Sequence, residues 1–266
     1  MQASIARAAA ATGVDFDYLL AQAKLESGLD SDARARTSSA AGLYQFINST
    51  WLNTLDRHGG THGLGWAEAA IDRNGGRASV SDPGMRAQIM ALRYDPDIAS
   101  LMAAELARDN AGHLRTQLGR EPDHAELYLA HFLGASGAGQ FLSALRDTPH
   151  APAAALFPKP AQANTPIFYD GTRARSVSEV MDVMRGKVEN AKGASGGFMP
   201  APGFGSGMTA FAQGRGRFGT PEGAAQGARP SMADTLQATF NGGDGLGGRA
   251  AQRIGEAYGK FRAFGL

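Results

Sequence analysis

Signals for helix starts and helix stops recur through the first half of this chain, and they constrain its fold more than any other feature. Aspartate precedes proline at Asp82–Pro83 and again at Asp95–Pro96. An aspartate can cap the free amides of a helix N-terminus and a proline fits the first turn, so each pair predicts a helix start. Gly28 follows an apolar periodic segment, which is typical of a helix C-terminus. Residues 3–146 are therefore predicted to form a mainly α-helical domain, with at most a small β-hairpin near residues 36–46.

Changes in composition along the 266 residues predict four parts. Residues 1–148 are the helical domain. Residues 149–190 begin with a Pro/Ala-rich stretch, predicted to be an extended strap, and a capping-box pattern then predicts one helix over 177–189. Sixteen of the thirty-six glycines fall in residues 191–249, which are predicted to be disordered because they lack the large apolar side chains that offset ordering entropy. Residues 250–266 place apolar side chains on one face and are predicted to form an amphipathic docking helix.

Charge, cysteine content and hydropathy narrow the function classes. The net charge is +1 and there is no dense basic run, which argues against a nucleic-acid or membrane-surface partner. The chain has no cysteine, which excludes disulfides and thiolate metal sites. No window of about eighteen apolar residues predicts a transmembrane helix. His58 and His62 are four residues apart, but the glycines around them argue against a helix, so no metal site is predicted.

A carboxylate stands at the end of an apolar helix. Asp15 can cap this helix, and apolar residues recur at helical spacing along one face, namely Phe16, Leu19, Leu20 and Ala23. Glu26 comes seven residues after Leu19 and so falls on the same face. Burial disfavours the charged form of a carboxyl group, and a protonated carboxyl is the general acid that glycoside cleavage needs. The alternative interpretation is a glutamate in the last helical turn with its carboxyl group in water.

A glycine-containing loop follows this helix. Gly42 would let the backbone pass close to a sugar, and Gln45 offers donors and an acceptor to an N-acetyl group. The segment leads into a helix predicted from Ser49–Trp51. An ordinary turn with a polar loop residue is the alternative.

Together the two segments resemble the catalytic core of the soluble lytic transglycosylase family, which has the lysozyme-like fold. In that family a Glu-Ser pair ends one helix and a Gly-Leu-x-Gln-Phe/Ile segment follows; here Glu26–Ser27 and Gly42–Ile47 match. The resemblance implies that Glu26 is the single acid/base and that peptidoglycan is the substrate. It also implies substrate contacts, which we assign to Ser27, Gly42, Tyr44 and Gln45. Neither a metal nor an organic cofactor is expected.

The family's third segment, Ala-Tyr-Asn-x-Gly on a later helix, is altered in this chain. Ala130–Gly134 keeps the frame, but His131 stands at the tyrosine position and Phe132 at the asparagine position. Tyr128 and His131 are three residues apart and so lie on one helix face. Tyr128, His131 and Phe132 are predicted to line the substrate site, with either Tyr128 or His131 donating a hydrogen bond to Glu26 or to the sugar. A core histidine beside a packing tyrosine is the alternative.

The resemblance implies cleavage of the bond between N-acetylmuramic acid and N-acetylglucosamine with formation of a 1,6-anhydro ring. Asp30 and Asp32 lie in a polar turn, and three later acids lie in surface-like patterns, so no second catalytic carboxylate is predicted. The alternatives are a hydrolytic muramidase or chitinase on the same fold, and a cell-wall assembly or export factor acting through residues 250–266. The expected location is the periplasm or cell wall, although the N-terminus has no signal-peptide pattern.

Overall fold

The structure is a computed structural model that describes residues 1–36, 38–74 and 77–193, and these residues are mainly α-helical. The helices in chain order are α1 (Gln2–Thr12), α2 (Phe16–Ser27), α3 (Asn48–His58), α4 (Gly65–Ala69), α5 (Pro83–Ala91), α6 (Pro96–Leu118), α7 (His124–Asp147), α8 (Ala153–Leu156), α9 (Pro158–Ala163), α10 (Thr165–Phe168) and α11 (Val177–Gly193). The strands are β1 (Asp72–Asn74), β2 (Arg77–Ser79), β3 (Tyr169–Asp170) and β4 (Arg173–Ala174). Single 3₁₀ turns form at Gly60–His62 and Leu92–Tyr94.

The predicted helix boundaries are confirmed where a local signal marks them. At the predicted N-caps Asp15, Asp82 and Asp95 the aspartate side chain accepts a hydrogen bond from a backbone amide in the first turn, and Asp123 caps α7 in the same way. Gly28 and Gly119 end α2 and α6 in the left-handed conformation, with φ of 65° and 69°. Local cap chemistry therefore sets the helix ends.

One apolar core joins the helices. α1 packs along α6, α6 packs against α7, and α11 packs against both α2 and α7. Buried side chains from all these helices belong to a single cluster. Within α7 the helix is interrupted at Gly134, with φ 74° and ψ 159°, so Tyr128 and His131 belong to a separate helical segment before the kink.

The small strands do not lie where the sequence predicts a hairpin. β1 pairs antiparallel with β2, and β3 with β4. The described residues between 36 and 46 belong to no paired strand; isolated antiparallel bridges join Ala41 to Arg34 and to Phe46. Gly42 and Gln45 both have positive φ, 77° and 48°, and two such residues turn the chain too sharply for extended strands.

The prediction of an extended strap at the start of residues 149–190 is wrong. The chain there forms the short helices α8, α9 and α10, because proline fits a first helical turn and the apolar side chains between the prolines can dock. Phe157 and Phe168 are buried in the same cluster as α2 and α7. The apolar core therefore continues across the boundary predicted at residue 148.

The helix predicted over 177–189 is confirmed and extends to Gly193. Its capping box is formed: the Glu179 amide donates to Ser176 Oγ, and the Ser176 amide donates to the Glu179 carboxylate. Residues 191–193, predicted to be disordered, belong to this helix. The remaining predictions for the tail, disorder through 249 and a docking helix at 250–266, lie outside the described residues. No helix in the described part of the chain is long and apolar enough to cross a membrane.

Candidate active site

Glu26 lies in the last turn of α2 with its side chain fully closed to solvent. Neither carboxylate oxygen has a hydrogen-bond partner of normal geometry among the described residues. The prediction that Glu26 faces the apolar side of α2 is therefore confirmed, and the alternative of a solvated carboxylate is wrong. Burying a carboxyl group without donors is costly, and such a cost is typical of functional sites rather than of structural ones.

Two side chains from the first half of α7 border the carboxyl group. His131 Nε2 is 3.3 Å from Glu26 Oε1, and the His131 side chain is only 5% exposed. The ring of Tyr128 stacks on that of His131, with centroids 6.2 Å apart and planes inclined by 17°. The structure thus brings together Glu26, Tyr128 and His131, as the spacing on α7 and the resemblance to the family's third segment together predict.

Two buried tyrosines, Tyr128 and Tyr18, are affected by the charge of Glu26. The pKa of Tyr128 is raised well above its ordinary value, first by burial, then by the charges of Glu26 and Tyr18, and last by a hydrogen bond to Glu26 whose geometry is too poor to satisfy the carboxylate. The pKa of Tyr18 is raised by burial and then by Glu26 and Tyr44. A phenol with a raised pKa keeps its proton, so these groups present hydroxyl groups rather than anions near Glu26.

Gln22 is part of the same cluster, and the sequence-based predictions missed it. It is 3% exposed, one turn before Glu26 on α2, and its amide nitrogen lies 3.1 Å from His131 Nδ1. The amide oxygen of Gln22 is buried without a partner. A polar residue four positions before Glu26, on the apolar face of α2, is the signal that could have identified it.

The Gln45 side chain stabilises the loop to which it belongs. Its amide nitrogen donates to the carbonyl oxygens of Ala33 and Gly42, at 3.1 and 2.9 Å, and these two bonds use both N–H donors. The side chain is 3% exposed. The donors predicted to contact an N-acetyl group are thus engaged within the protein, and the structure gives Gln45 a loop-building role.

Glycine is required at position 42 because the backbone of another part of the protein lies close to it. Its φ is 77°, and a Cβ at this position would lie 1.9 Å from the carbonyl oxygen of Arg93. The close approach that the sequence predicts at Gly42 is therefore made to backbone near α5 and α6.

Arg93 anchors the same loop from the 3₁₀ turn before α6. Its guanidinium group is buried and donates to the carbonyl oxygens of Ser39 and Phe46 and to Asn48 Oδ1, at 2.7, 3.0 and 3.0 Å. Burial lowers the pKa of this arginine. The sequence gives no signal for this anchor, because the acceptors, two backbone carbonyls and the Asn48 side chain, are distant along the chain.

The remaining predicted contacts connect the loop and the helices. Ser27 Oγ lies 2.8 Å from the Leu43 carbonyl oxygen and 3.2 Å from that of Ala23, so it joins the end of α2 to the loop. Tyr44 is fully buried and donates to the Leu19 carbonyl oxygen at 3.3 Å. Phe132 is fully buried and packs against Phe168, with ring centroids 6.2 Å apart. Tyr44 and Phe132 thus support the site from within the core, and the half-buried Ser27 supports it from the end of α2.

The other acids considered in the sequence are engaged or exposed. Asp30 accepts from the Asp32 amide in an exposed turn. Later in the chain, each acid has a partner: Asp56 pairs with Arg73, Glu68 accepts from the Gly60 amide, and Asp72 accepts from Ser81. None of these contacts involves Glu26.

His58 and His62 contribute to a separate ionic cluster. His62 Nε2 is 2.7 Å from Glu105 Oε1 and His58 Nε2 is 3.0 Å from Asp109 Oδ2. Arg108 also reaches Glu105, whose side chain is 1% exposed. The cluster ties the end of α3 to α6. No group of three or more histidine or acidic side chains in the described residues has the arrangement to hold a metal ion.

A comparison with models of known protein families finds none that matches this chain.

Proposed function

We propose that this protein is a lytic transglycosylase that cleaves peptidoglycan glycan strands with Glu26 as its single acid/base. The observation that carries the proposal is the enclosed Glu26 carboxyl group, without hydrogen bonds of normal geometry and bordered by Tyr128 and His131. Glu26–Ser27 and Gly42–Ile47 resemble segments of the soluble lytic transglycosylase family, and this resemblance indicates peptidoglycan as the substrate. By the same reasoning the protein acts in the cell wall or periplasm.

In the first step the Glu26 carboxyl group gives its proton to the oxygen that links N-acetylmuramic acid to N-acetylglucosamine. The bond from the muramic acid's anomeric carbon to that oxygen breaks, and the N-acetyl oxygen stabilises the electron-poor anomeric carbon. In the second step the Glu26 carboxylate takes the proton of the muramic acid C6 hydroxyl. That oxygen then bonds to the anomeric carbon and closes the 1,6-anhydro ring, while Glu26 returns to its starting form.

The partners of the other acids considered in the sequence favour this route over inverting hydrolysis. An inverting hydrolase places a second carboxylate about 6.5–9.5 Å from the acid, where it activates water. The acids near Glu26 in sequence lie in an exposed turn, and the later ones are bound to other groups. A single carboxylate that first gives and then takes a proton needs no such partner.

Substrate access requires a movement. The Glu26 side chain is fully closed to solvent, so a glycan can reach it only if a neighbouring side chain or loop moves away. Side chains of catalytic sites often reach their productive geometry only in the complex. The 3.3 Å contact between His131 and Glu26 would shorten in the same way.

The decisive experiment is mass spectrometry of the fragments that the full chain releases from purified sacculi. We expect N-acetylmuramic acid ends that are lighter by one water than hydrolysed ends. Glu26→Gln should lower the release at least ~100-fold, because the amide has the same shape but cannot deliver a proton. Glu189→Gln, which alters an exposed glutamate on α11, is the matched control and should digest at the normal rate.

Each outcome has a clear meaning. Reducing ends in place of anhydro ends would identify a hydrolase on the same site. Absence of any fragment from the unaltered chain, with folding verified by circular dichroism, would contradict enzymatic cleavage and support the assembly-factor alternative. More than about a tenth of normal release by Glu26→Gln would show that Glu26 is not the acid.

A further inference from the structure

We propose that Gln22 is a positioning residue that fixes the ring proton of His131 on Nε2, so that His131 faces Glu26 as a hydrogen-bond donor and never as an acceptor. The purpose assigned to this arrangement rests on the proposed function. The position of the proton does not, and it can be measured without substrate.

The inference starts from the contact between the two helices. The Gln22 amide nitrogen is 3.1 Å from His131 Nδ1, and both side chains are buried. An amide nitrogen only donates, so Nδ1 must accept and carries no proton. A neutral imidazole has one proton, which therefore resides on Nε2.

The protonated nitrogen points towards the acid. Nε2 is buried without a hydrogen-bond partner of normal geometry, and the Glu26 Oε1 atom lies 3.3 Å away. Donor and acceptor are thus held next to each other before any substrate binds, at a distance that a small movement would turn into a hydrogen bond.

This arrangement has consequences for both proton transfers. A bare Nε2 would compete with the glycosidic oxygen for the Glu26 proton, because imidazole is a good acceptor. With the proton already on Nε2, His131 cannot take that proton, and Glu26 keeps it for the substrate. After transfer, the Nε2–H group donates to the new carboxylate and stabilises it in a site closed to water.

A purely structural role would not fix the tautomer. A glutamine that only fills space between α2 and α7 could be replaced by methionine, which has similar length and no donor, without any change in the imidazole. The buried, unpaired amide oxygen of Gln22 also argues against a packing role, since an apolar side chain would avoid its desolvation.

The test is nuclear magnetic resonance of the full chain with histidine labelled by ¹⁵N in both ring nitrogens. Long-range proton–nitrogen correlations separate protonated from bare nitrogens and Nδ1 from Nε2. The signals of His131 are identified by their loss in His131→Gln. We expect the unaltered protein to show a protonated Nε2 and a bare Nδ1.

Variants of Gln22 then test whether Gln22 holds the ring proton of His131 on Nε2. Gln22→Glu places an acceptor against Nδ1, so the proton should appear on Nδ1; Gln22→Met should give a mixture of tautomers. Gln140→Glu makes the same change at an exposed position of α7 and should leave the His131 signals as they are. Release of fragments from sacculi should fall at least about 10-fold in Gln22→Glu, with binding to sacculi retained, because a wrong tautomer in a catalytic cluster impairs turnover.

A protonated Nδ1 in the unaltered protein would overturn the proposal, since Gln22 would then present its oxygen to the ring. Unchanged His131 signals in both Gln22 variants would also overturn it. If neither variant folds, the tautomer of the unaltered protein still decides. Failure of the proposed function would appear separately, as a lack of fragments from a protein whose His131 has the expected tautomer.

Discussion

His131 Nε2 lies 3.3 Å from Glu26 Oε1, with both side chains closed to water. The two residues belong to α7 and α2, which meet only in the folded domain. The candidate site is therefore a product of helix packing rather than of one loop. Changes that alter the packing of α2 against α7 should act on the site, and changes confined to the surface should not.

Glu26→Gln should leave the melting temperature nearly unchanged or raise it, although we expect it to lower cleavage at least ~100-fold. The carboxyl group is buried without satisfying partners, so an amide of the same shape loses no hydrogen bond of normal geometry. Thermal unfolding at neutral pH followed by circular dichroism gives the measurement. A clear decrease in melting temperature would show that the Glu26 carboxyl group stabilises the fold and would weaken its assignment as the acid.

Tyr128→Phe should slow cleavage with little loss of stability. The phenol is held in its neutral form beside Glu26 by burial, so removing its hydroxyl removes a donor from the site but keeps the ring stacked on His131. The expected loss in turnover is about 10-fold or more, within the usual range for one hydrogen-bond donor in a site. The two numbers to compare are the release rate from sacculi and the melting temperature. A large drop in stability with normal specific activity would place Tyr128 in the core only.

Gly42→Ala should destabilise the protein by at least about 2 kcal/mol, because the new methyl group meets a backbone oxygen and the residue must keep a positive φ. The distance from that methyl group to the Arg93 carbonyl oxygen would be 1.9 Å. Urea titration gives the free energy of unfolding. Gly112→Ala, at an open position inside α6, is the matched control and should stabilise by about 1 kcal/mol. Equal effects of the two substitutions would mean that the contact with Arg93 is not formed.

Gln45→Ala should lower the free energy of unfolding by about 1–3 kcal/mol, since two buried hydrogen bonds to loop carbonyls are lost. Gln45→Gly loses the same bonds but fits the φ of 48° without strain, so it should be less destabilising than Gln45→Ala. The same urea titrations compare the two. A variant with normal stability and impaired glycan binding would instead support the substrate contact that the sequence suggests.

A chain shortened to residues 1–193 should fold and digest sacculi, because the described core is complete within it. A chain shortened to residues 1–148 should fail to unfold cooperatively, because it lacks the buried side chains of α8 to α11, which share one cluster with α2 and α7. Differential scanning calorimetry distinguishes the two. Cooperative unfolding and normal digestion by residues 1–148 would contradict this and restore the domain boundary predicted from composition.

The helices could be predicted because their ends are encoded locally. Asp82, Asp95 and Asp123 cap helices within three residues of themselves, and no distant partner is needed for that inference. The strap was mispredicted because proline and alanine content says nothing about Phe157 and Phe168, whose burial depends on surfaces supplied by other helices. Composition describes one segment by itself, whereas the docking of that segment depends on the surface that other helices present to it.

The candidate site also combines residues that a local pattern predicts with contacts that only the folded chain forms. Periodicity on α2 places Glu26 on the buried face, and spacing on α7 pairs Tyr128 with His131. The contact of Gln22 with His131 joins two helices far apart in sequence, so no local pattern predicts it. Gln45 has the residue type of a ligand-binding amide, but its donors satisfy carbonyls that only the folded loop brings within reach.

The loop is held by contacts within the protein, so its Gly-x-x-Gln motif does not by itself indicate a substrate contact. Gly42 and Gln45 are required by the positive φ angles, by the Arg93 backbone and by two loop carbonyls, all of which exist whether or not a glycan ever binds. Under the proposed function, a descendant without catalytic activity would still need both residues to fold, while Glu26, Gln22 and His131 could be replaced by apolar side chains. A Gly-x-x-Gln segment in a chain of this type is thus evidence for the loop architecture, and we propose the acid with its two polar neighbours as the feature that indicates activity.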